Sequence, residues 1–148
     1  MPRLTAASPA NSEWLTRRTI VDPKLDAAGW KVCEYDPKLP LSACNNCAIV
    51  EYPTDNGPAD YALCSGGRIL GIVEAKKLSL GPQNVLTQAE RYSRGATSNP
   101  LSFGSYRVPF LYSTNGELIR HHDVRHPDNR SREVKGFHTP AALEEKLT

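Results

Sequence analysis

The stretch Arg68-Ile69-Leu70-Gly71-Ile72-Val73-Glu74-Ala75 constrains this chain more than any other. It is almost continuously apolar, rich in β-branched residues and bounded by turn formers. That pattern predicts a central strand buried on both faces. Such a strand needs helices above and below its sheet. It also carries an acid near its far end. A buried carboxylate needs a partner or a metal. Lys76 follows Glu74 by two residues, so the two side chains share a face of the strand.

The rest of the chain supplies elements to surround that strand. Ser12 is a plausible N-cap, and Trp14, Ile20, Val21, Leu25 and Ala28 fall on one helical face that ends at Gly29. Asp22-Pro23 interrupts it, which predicts a kink or two helices. Trp30 to Tyr35 reads as a first strand. Residues 36–58, rich in Pro, Asn, Cys and Asp, read as a long loop with room for a short strand at Ala48 to Tyr52. Ala59 to Cys64 is a further strand, and Ser65-Gly66-Gly67 turns into the central one. Asn84 to Arg94 reads as a helix closed by Gly95. Val108 to Ser113 and Glu117 to His121 read as a hairpin around Thr114-Asn115-Gly116. Residues 123–135 look irregular, and residues 139–148 begin a helix. The order predicts a mixed central sheet with flanking helices, an α/β fold.

A 148-residue chain fits one domain, and a net charge of +2 gives no polybasic arm. Residues 1–11 read as a disordered leader, 12–138 as the functional domain, and 139–148 as the start of a linker or helix. No run of 18 apolar residues exists and the N-terminus lacks a signal-peptide core, so the expected location is cytoplasmic, with no membrane partner and reduced thiols. Cys44-Asn45-Asn46-Cys47 has the C-x2-C spacing of half a zinc site. Cys33 and Cys64 are not spaced as its other half, so free thiols in a loop are the expectation.

Asp60 completes a carboxylate pair if strand register allows. If Ser65 pairs with Ile69 across a three-residue loop, Asp60 lies opposite Glu74, with Cβ atoms about 5 Å apart. A two-residue turn puts Asp60 opposite Val73 instead. An opposed acid pair therefore requires the longer loop or a bulge, with Gly71 the candidate position. Two carboxylates so placed can share one Mg2+. Phosphodiester hydrolysis needs charge neutralised on phosphoryl oxygens and an activated water. Asp60 and Glu74 as metal ligands, with Lys76 on the hydroxide or phosphate, meet that need. A solvated acid and lysine at a strand end would carry the same letters, so the triplet alone leaves both readings open. On the following helix Gln88 and Tyr92, spaced i, i+4, face one way, and Arg91 and Arg94 could meet phosphates.

Five segments then fall in order: Thr16 to Leu25 with Ala28-Gly29-Trp30; Pro58-Ala59-Asp60-Tyr61-Ala62-Leu63; Val73-Glu74-Ala75-Lys76; Gln88-Ala89-Glu90-Arg91-Tyr92; and Val108 to Gly116. Together they resemble the N-terminal PD-(D/E)XK endonuclease domain of the R (restriction) subunit of type I restriction-modification enzymes. The resemblance implies a restriction-endonuclease-like αβββαβ core and Mg2+-dependent cleavage of double-stranded DNA, with Mn2+ a substitute. It implies catalytic roles for Asp60, Glu74 and Lys76. Gln88 and Tyr92 match the family's Q-x-x-x-Y element, and Glu13 is the candidate for a glutamate on the first helix. Implied partners are the modification and specificity subunits, which read the DNA sequence. ATP would serve only a translocase part of the full-length subunit, since this chain holds no G-x-x-x-x-G-K-[ST] loop. Another PD-(D/E)XK nuclease of repair or defence, or a catalytically silent subunit-docking module, are the alternatives.

Overall fold

In the computed structural model, residues 17–76 and 86–148 are described. Seven strands form one sheet whose spatial order is the chain order. They are β1 (Lys31–Glu34), β2 (Cys47–Thr54), β3 (Gly57–Ser65), β4 (Arg68–Ala75), β5 (Phe110–Thr114), β6 (Ile119–Asp123) and β7 (Arg132–Val134). Pairs β1–β2 and β4–β5 are parallel, and the remaining four are antiparallel. The helices are α1 (Asp22–Ala27), α2 (Leu86–Gly95) and α3 (Pro140–Leu147). This is the mixed sheet with flanking helices that the element order predicts, and it is consistent with the PD-(D/E)XK-like α/β fold that the resemblance implies. No helix among the described residues is long and apolar enough to cross a membrane.

Every residue of β4 from Ile69 to Ala75 is buried. Leu70, Val73 and Ala75 join one core cluster with Leu25, Trp30, Tyr61 and Leu143. Ile69 and Ile72 join the other, with Ala62, Leu86 and Ala89. A regular strand keeps residues i and i+2 on one face; here Ile69 and Ile72, three apart, share one. The cause is a bulge. Leu63 pairs with Gly71 but Cys64 pairs with Ile69, which leaves Leu70 over. Gly71 is required there, because a Cβ would sit 2.9 Å from Leu63 Cδ1 and 3.2 Å from the Phe110 carbonyl oxygen.

Asn99 repairs the ladder beside the bulge. Its side chain accepts from Ile69 N–H (2.9 Å) and donates to the Ile69 carbonyl (2.9 Å). Those groups lie before β5 begins to pair at Gly71. An unpaired buried backbone group costs about as much as a lost hydrogen bond, so the amide stands in for a strand residue.

Several sequence expectations need correction. The loop at 36–58 contains an eight-residue strand, β2, which lies between β1 and the β3–β4 hairpin. The first strand therefore pairs in parallel with β2 and not with the β3–β4 hairpin. Residues 123–135 include the short edge strand β7. The break at Asp22-Pro23 is a junction between a π-helical turn, Arg17–Val21, and α1. Ser12, Trp14 and the start of the 84–94 helix lie outside the described residues. At the C-terminal end Thr139 caps α3 by accepting from Ala142 N–H (3.1 Å), and Leu143 is fully buried against the sheet.

Candidate active site

The chain turns from β3 into β4 through Gly66-Gly67, with φ of +62° and +76°. Positive φ at both central residues is the type I′ signature that two-residue hairpins favour. Ser65 pairs with Arg68, so the three-residue loop does not form. Alone, this turn would set Asp60 against Val73. The bulge at Leu70 restores the parity, and Tyr61 comes to pair with Val73. Asp60 then lies opposite Glu74.

The two acids interlock through the backbone. Asp60 N–H donates to Glu74 Oε2 at 2.7 Å, and Ala75 N–H donates to Asp60 Oδ2 at 2.7 Å. Each carboxylate is thus fixed by the other's strand. Glu74 is only 3% exposed. Burial first, and the charge of Asp60 second, push its pKa up to about 8; the Asp60 N–H, Lys76 and Arg17 pull the other way. A carboxylate pair held this way gains from a cation between or beside its oxygens, and carboxylate oxygens are the donors that Mg2+ prefers.

Lys76 follows directly after β4, its N–H bonded to the Thr114 carbonyl (2.9 Å), and its charge reaches Glu74. Tyr92 of α2 joins the same neighbourhood. Its phenol pKa is raised by burial and then by Glu74 and Asp60. The placement has a clear cause. The C-terminal end of α2 is tied to the β2–β3 turn by Asp55 N–H to the Gly95 carbonyl (2.8 Å) and Asn56 Nδ2 to the Arg91 carbonyl (2.7 Å). Ser93 clamps the other side, donating to the Val108 carbonyl (2.7 Å) and accepting from Val108 N–H (3.0 Å). Gln88 and Arg91 bond each other at 3.1 Å at the surface of α2. Arg94 lies over the Tyr106 ring, 4.8 Å from its centroid, rather than toward the acids. Glu13 lies outside the described residues.

Sequence reasoning missed Arg17 and Glu51. Arg17 Nη1 lies 3.5 Å from Asp60 Oδ1, and its Nη2 lies 3.9 Å from Glu51 Oε2. Glu51 sits in β2 between Val50, which pairs with Tyr61, and Tyr52, which pairs with Ala59; it thus lies beside Asp60. Its φ of +52° is left-handed, which for a non-glycine residue costs on the order of 1–3 kcal/mol and concentrates at functional sites. Nothing in the letters around Glu51 marks that conformation. The Arg17-Arg18 pair before the helix was the available signal for Arg17.

A family model described as the type I restriction enzyme EcoKI endonuclease subunit second domain matches residues 33–147. The chain belongs to that family. It is similar to the type I restriction enzyme EcoKI endonuclease subunit of Escherichia coli (strain K12), at 27% identity over 88% of this chain. It spans 15% of that relative's length. In fold it is similar to a fragment assigned as an HsdR subunit of a type I restriction enzyme from Vibrio vulnificus YJ016. There the TM-score is 0.65 at 24% identity, over 97% of this chain and 26% of the other. The opposed acid pair and four of the five ordered motifs fall within the residues that this family model matches.

Proposed function

We propose that this domain is the metal-dependent nuclease of a type I restriction R subunit, hydrolysing phosphodiester bonds of double-stranded DNA. The observation that carries the reading is the opposition of Asp60 and a buried Glu74 beside Lys76. Asp60 and Glu74 are the residues that would hold Mg2+, or Mn2+ in its place. When bound, the ion supplies charge neutralisation at the phosphoryl oxygens and an acidified water. The reciprocal backbone bonds hold both carboxylates in position before substrate arrives, so little reorganisation remains. Lys76 presents a positive charge to the attacking hydroxide or to a phosphate oxygen. Tyr92 lends a hydroxyl on the α2 side. Gln88, one helical turn before Tyr92, and the adjacent Arg91 bond each other at the surface of α2 and would meet a neighbouring phosphate rather than the scissile one. DNA sequence would be read by the modification and specificity subunits, and ATP would be used outside this segment.

Asp60→Asn, Glu74→Gln and Lys76→Ala should each reduce DNA cleavage by the assembled enzyme by at least about a hundredfold, the scale of losing one electrostatic stabiliser. Circular dichroism should be unchanged. Full cleavage by any one of them would remove that residue from the machinery. Full cleavage by all three would leave the domain a docking module.

A further inference from the structure

The four cysteines, spread over 32 residues of sequence, are gathered at one place. Cys47 opens β2 and pairs directly with Cys64 of β3. Cys33 of β1 stands beside Ile49, two residues along from Cys47, on the same side of the sheet. Cys44 closes the short helical turn Leu41–Ala43, which folds over that side, and Cys64 Sγ lies 3.4 Å from the Cys44 carbonyl oxygen. The Cys33 and Cys47 side chains are in contact, as are those of Cys44 and Cys64. Each of the four is within electrostatic reach of the other three. All four are free thiols.

We propose that Cys33, Cys44, Cys47 and Cys64 form a four-thiolate structural Zn2+ site at the β1–β2–β3 edge of the sheet. Four thiolates with a C-x2-C pair among them are the donor set of closed tetrahedral zinc centres. Directly opposed strand positions hold Cβ atoms about 5 Å apart, which suits sulfurs converging on one ion at about 2.3 Å. An iron–sulfur cluster draws on the same thiolate donors, and its iron content and colour would distinguish it from zinc. The sulfurs do not yet converge on one point: among the described residues no three His, Cys, Asp or Glu side chains stand in ready ligand geometry. They stand as two contacting pairs, so closure requires rotation of side chains, while strand pairing already places the Cα atoms of Cys33, Cys47 and Cys64. A cavity of about 390 Å³ beside Cys33, Cys44 and Cys47 gives the room and the entry path. The ion would fasten the 35–46 segment and the edge strand β1 to β2 and β3.

The test is metal and thiol analysis of the purified chain grown with zinc. One zinc ion per chain is expected, with all four thiols protected from Ellman's reagent until a chelator is added. Replacement by Co2+ should give the intense visible bands and thiolate-to-cobalt charge transfer of a tetrahedral tetrathiolate site. Cys47→Ser should lose the ion, whereas Glu74→Gln should keep it. If the serine variant fails to fold, the wild-type cobalt spectrum decides. A zinc-free chain with four reactive thiols, a chain oxidised to two disulfides, a brown iron-containing chain, or zinc that survives Cys47→Ser but not Glu74→Gln would each overturn the assignment.

Discussion

Strands β2 and β3 carry two polar clusters toward opposite ends, about four residues and therefore roughly 13 Å apart along β3. At Asp60 the donors are carboxylates, half-buried or buried, and already fixed by backbone N–H groups and Arg17. At Cys64 they are thiols held only by one another and by backbone carbonyls. Burial raises pKa values in each cluster: Glu74 to about 8 in one, Cys33 to about 11 and Cys64 to about 12 in the other. The difference teaches how each cluster would meet a cation. The acids are a preorganised, partly open pair suited to a hard ion that exchanges ligands during reaction. The Cys33 and Cys64 thiols sit protonated at neutral pH and would release protons as a soft ion closes the site.

The sharpest separation of the two clusters is functional. Asp60→Asn and Glu74→Gln should abolish cleavage without loosening the cysteine edge, since strand pairing between them is independent of either carboxylate. Faster reaction of the four thiols with Ellman's reagent in either variant would show that the clusters are coupled. Next in size is the bulge. Gly71→Ala forces a methyl against Leu63 and the Phe110 carbonyl, and overpacking of this kind costs about 1–3 kcal/mol. Thermal unfolding should report that loss. Because the bulge sets the parity of Asp60 and Glu74, metal binding should weaken as well; a variant with wild-type stability and metal affinity would detach the bulge from the site.

How far the letters reveal these features depends on how local the cause is. The buried β4 is plain from its apolar run, and α2 from its periodicity and Gly95. The hairpin around Asn115 follows from its turn chemistry: Asn115 Oδ1 accepts from Glu117 N–H (3.0 Å) and Leu118 N–H (2.9 Å). The requirement that a bulge or a longer loop align the acids also follows from parity alone, although the letters do not choose between them. The cysteine cluster was hidden for a different reason. Its spacing becomes meaningful only once β1 pairs in parallel with a strand that composition disguises, because Cys47 to Thr54 includes Pro53 and lies among loop formers. Arg17 was similarly invisible as a site residue, since its contact with Asp60 spans 43 positions.

A smaller effect follows from Glu74. Its folded pKa lies above the unfolded value, so its contribution favours the metal-free fold at low pH and is lost as pH rises from about 4.5 through about 8. The melting temperature of the metal-free chain should fall across that window, and Glu74→Gln should flatten the fall. A pH-independent melting curve in the wild type would mean that Glu74 is already ionised, and the pair less strained than its burial implies. The smallest effect concerns Arg17, a partly buried partner of Asp60 that competes with an added cation. Arg17→Gln should tighten Mn2+ binding by roughly two- to fivefold, the scale of a weak ion pair. Weaker binding would instead make Arg17 a support for the acids.

The central claim is that Asp60 and Glu74 form one metal site, and calorimetry of Mn2+ binding to the purified chain at neutral pH tests it most directly. Wild type should bind with release of a proton from Glu74, visible as a dependence of the heat on buffer ionisation enthalpy, and Asp60→Asn should bind at least tenfold more weakly. Equal binding by the two proteins, with no proton released, would contradict the account and place the metal elsewhere.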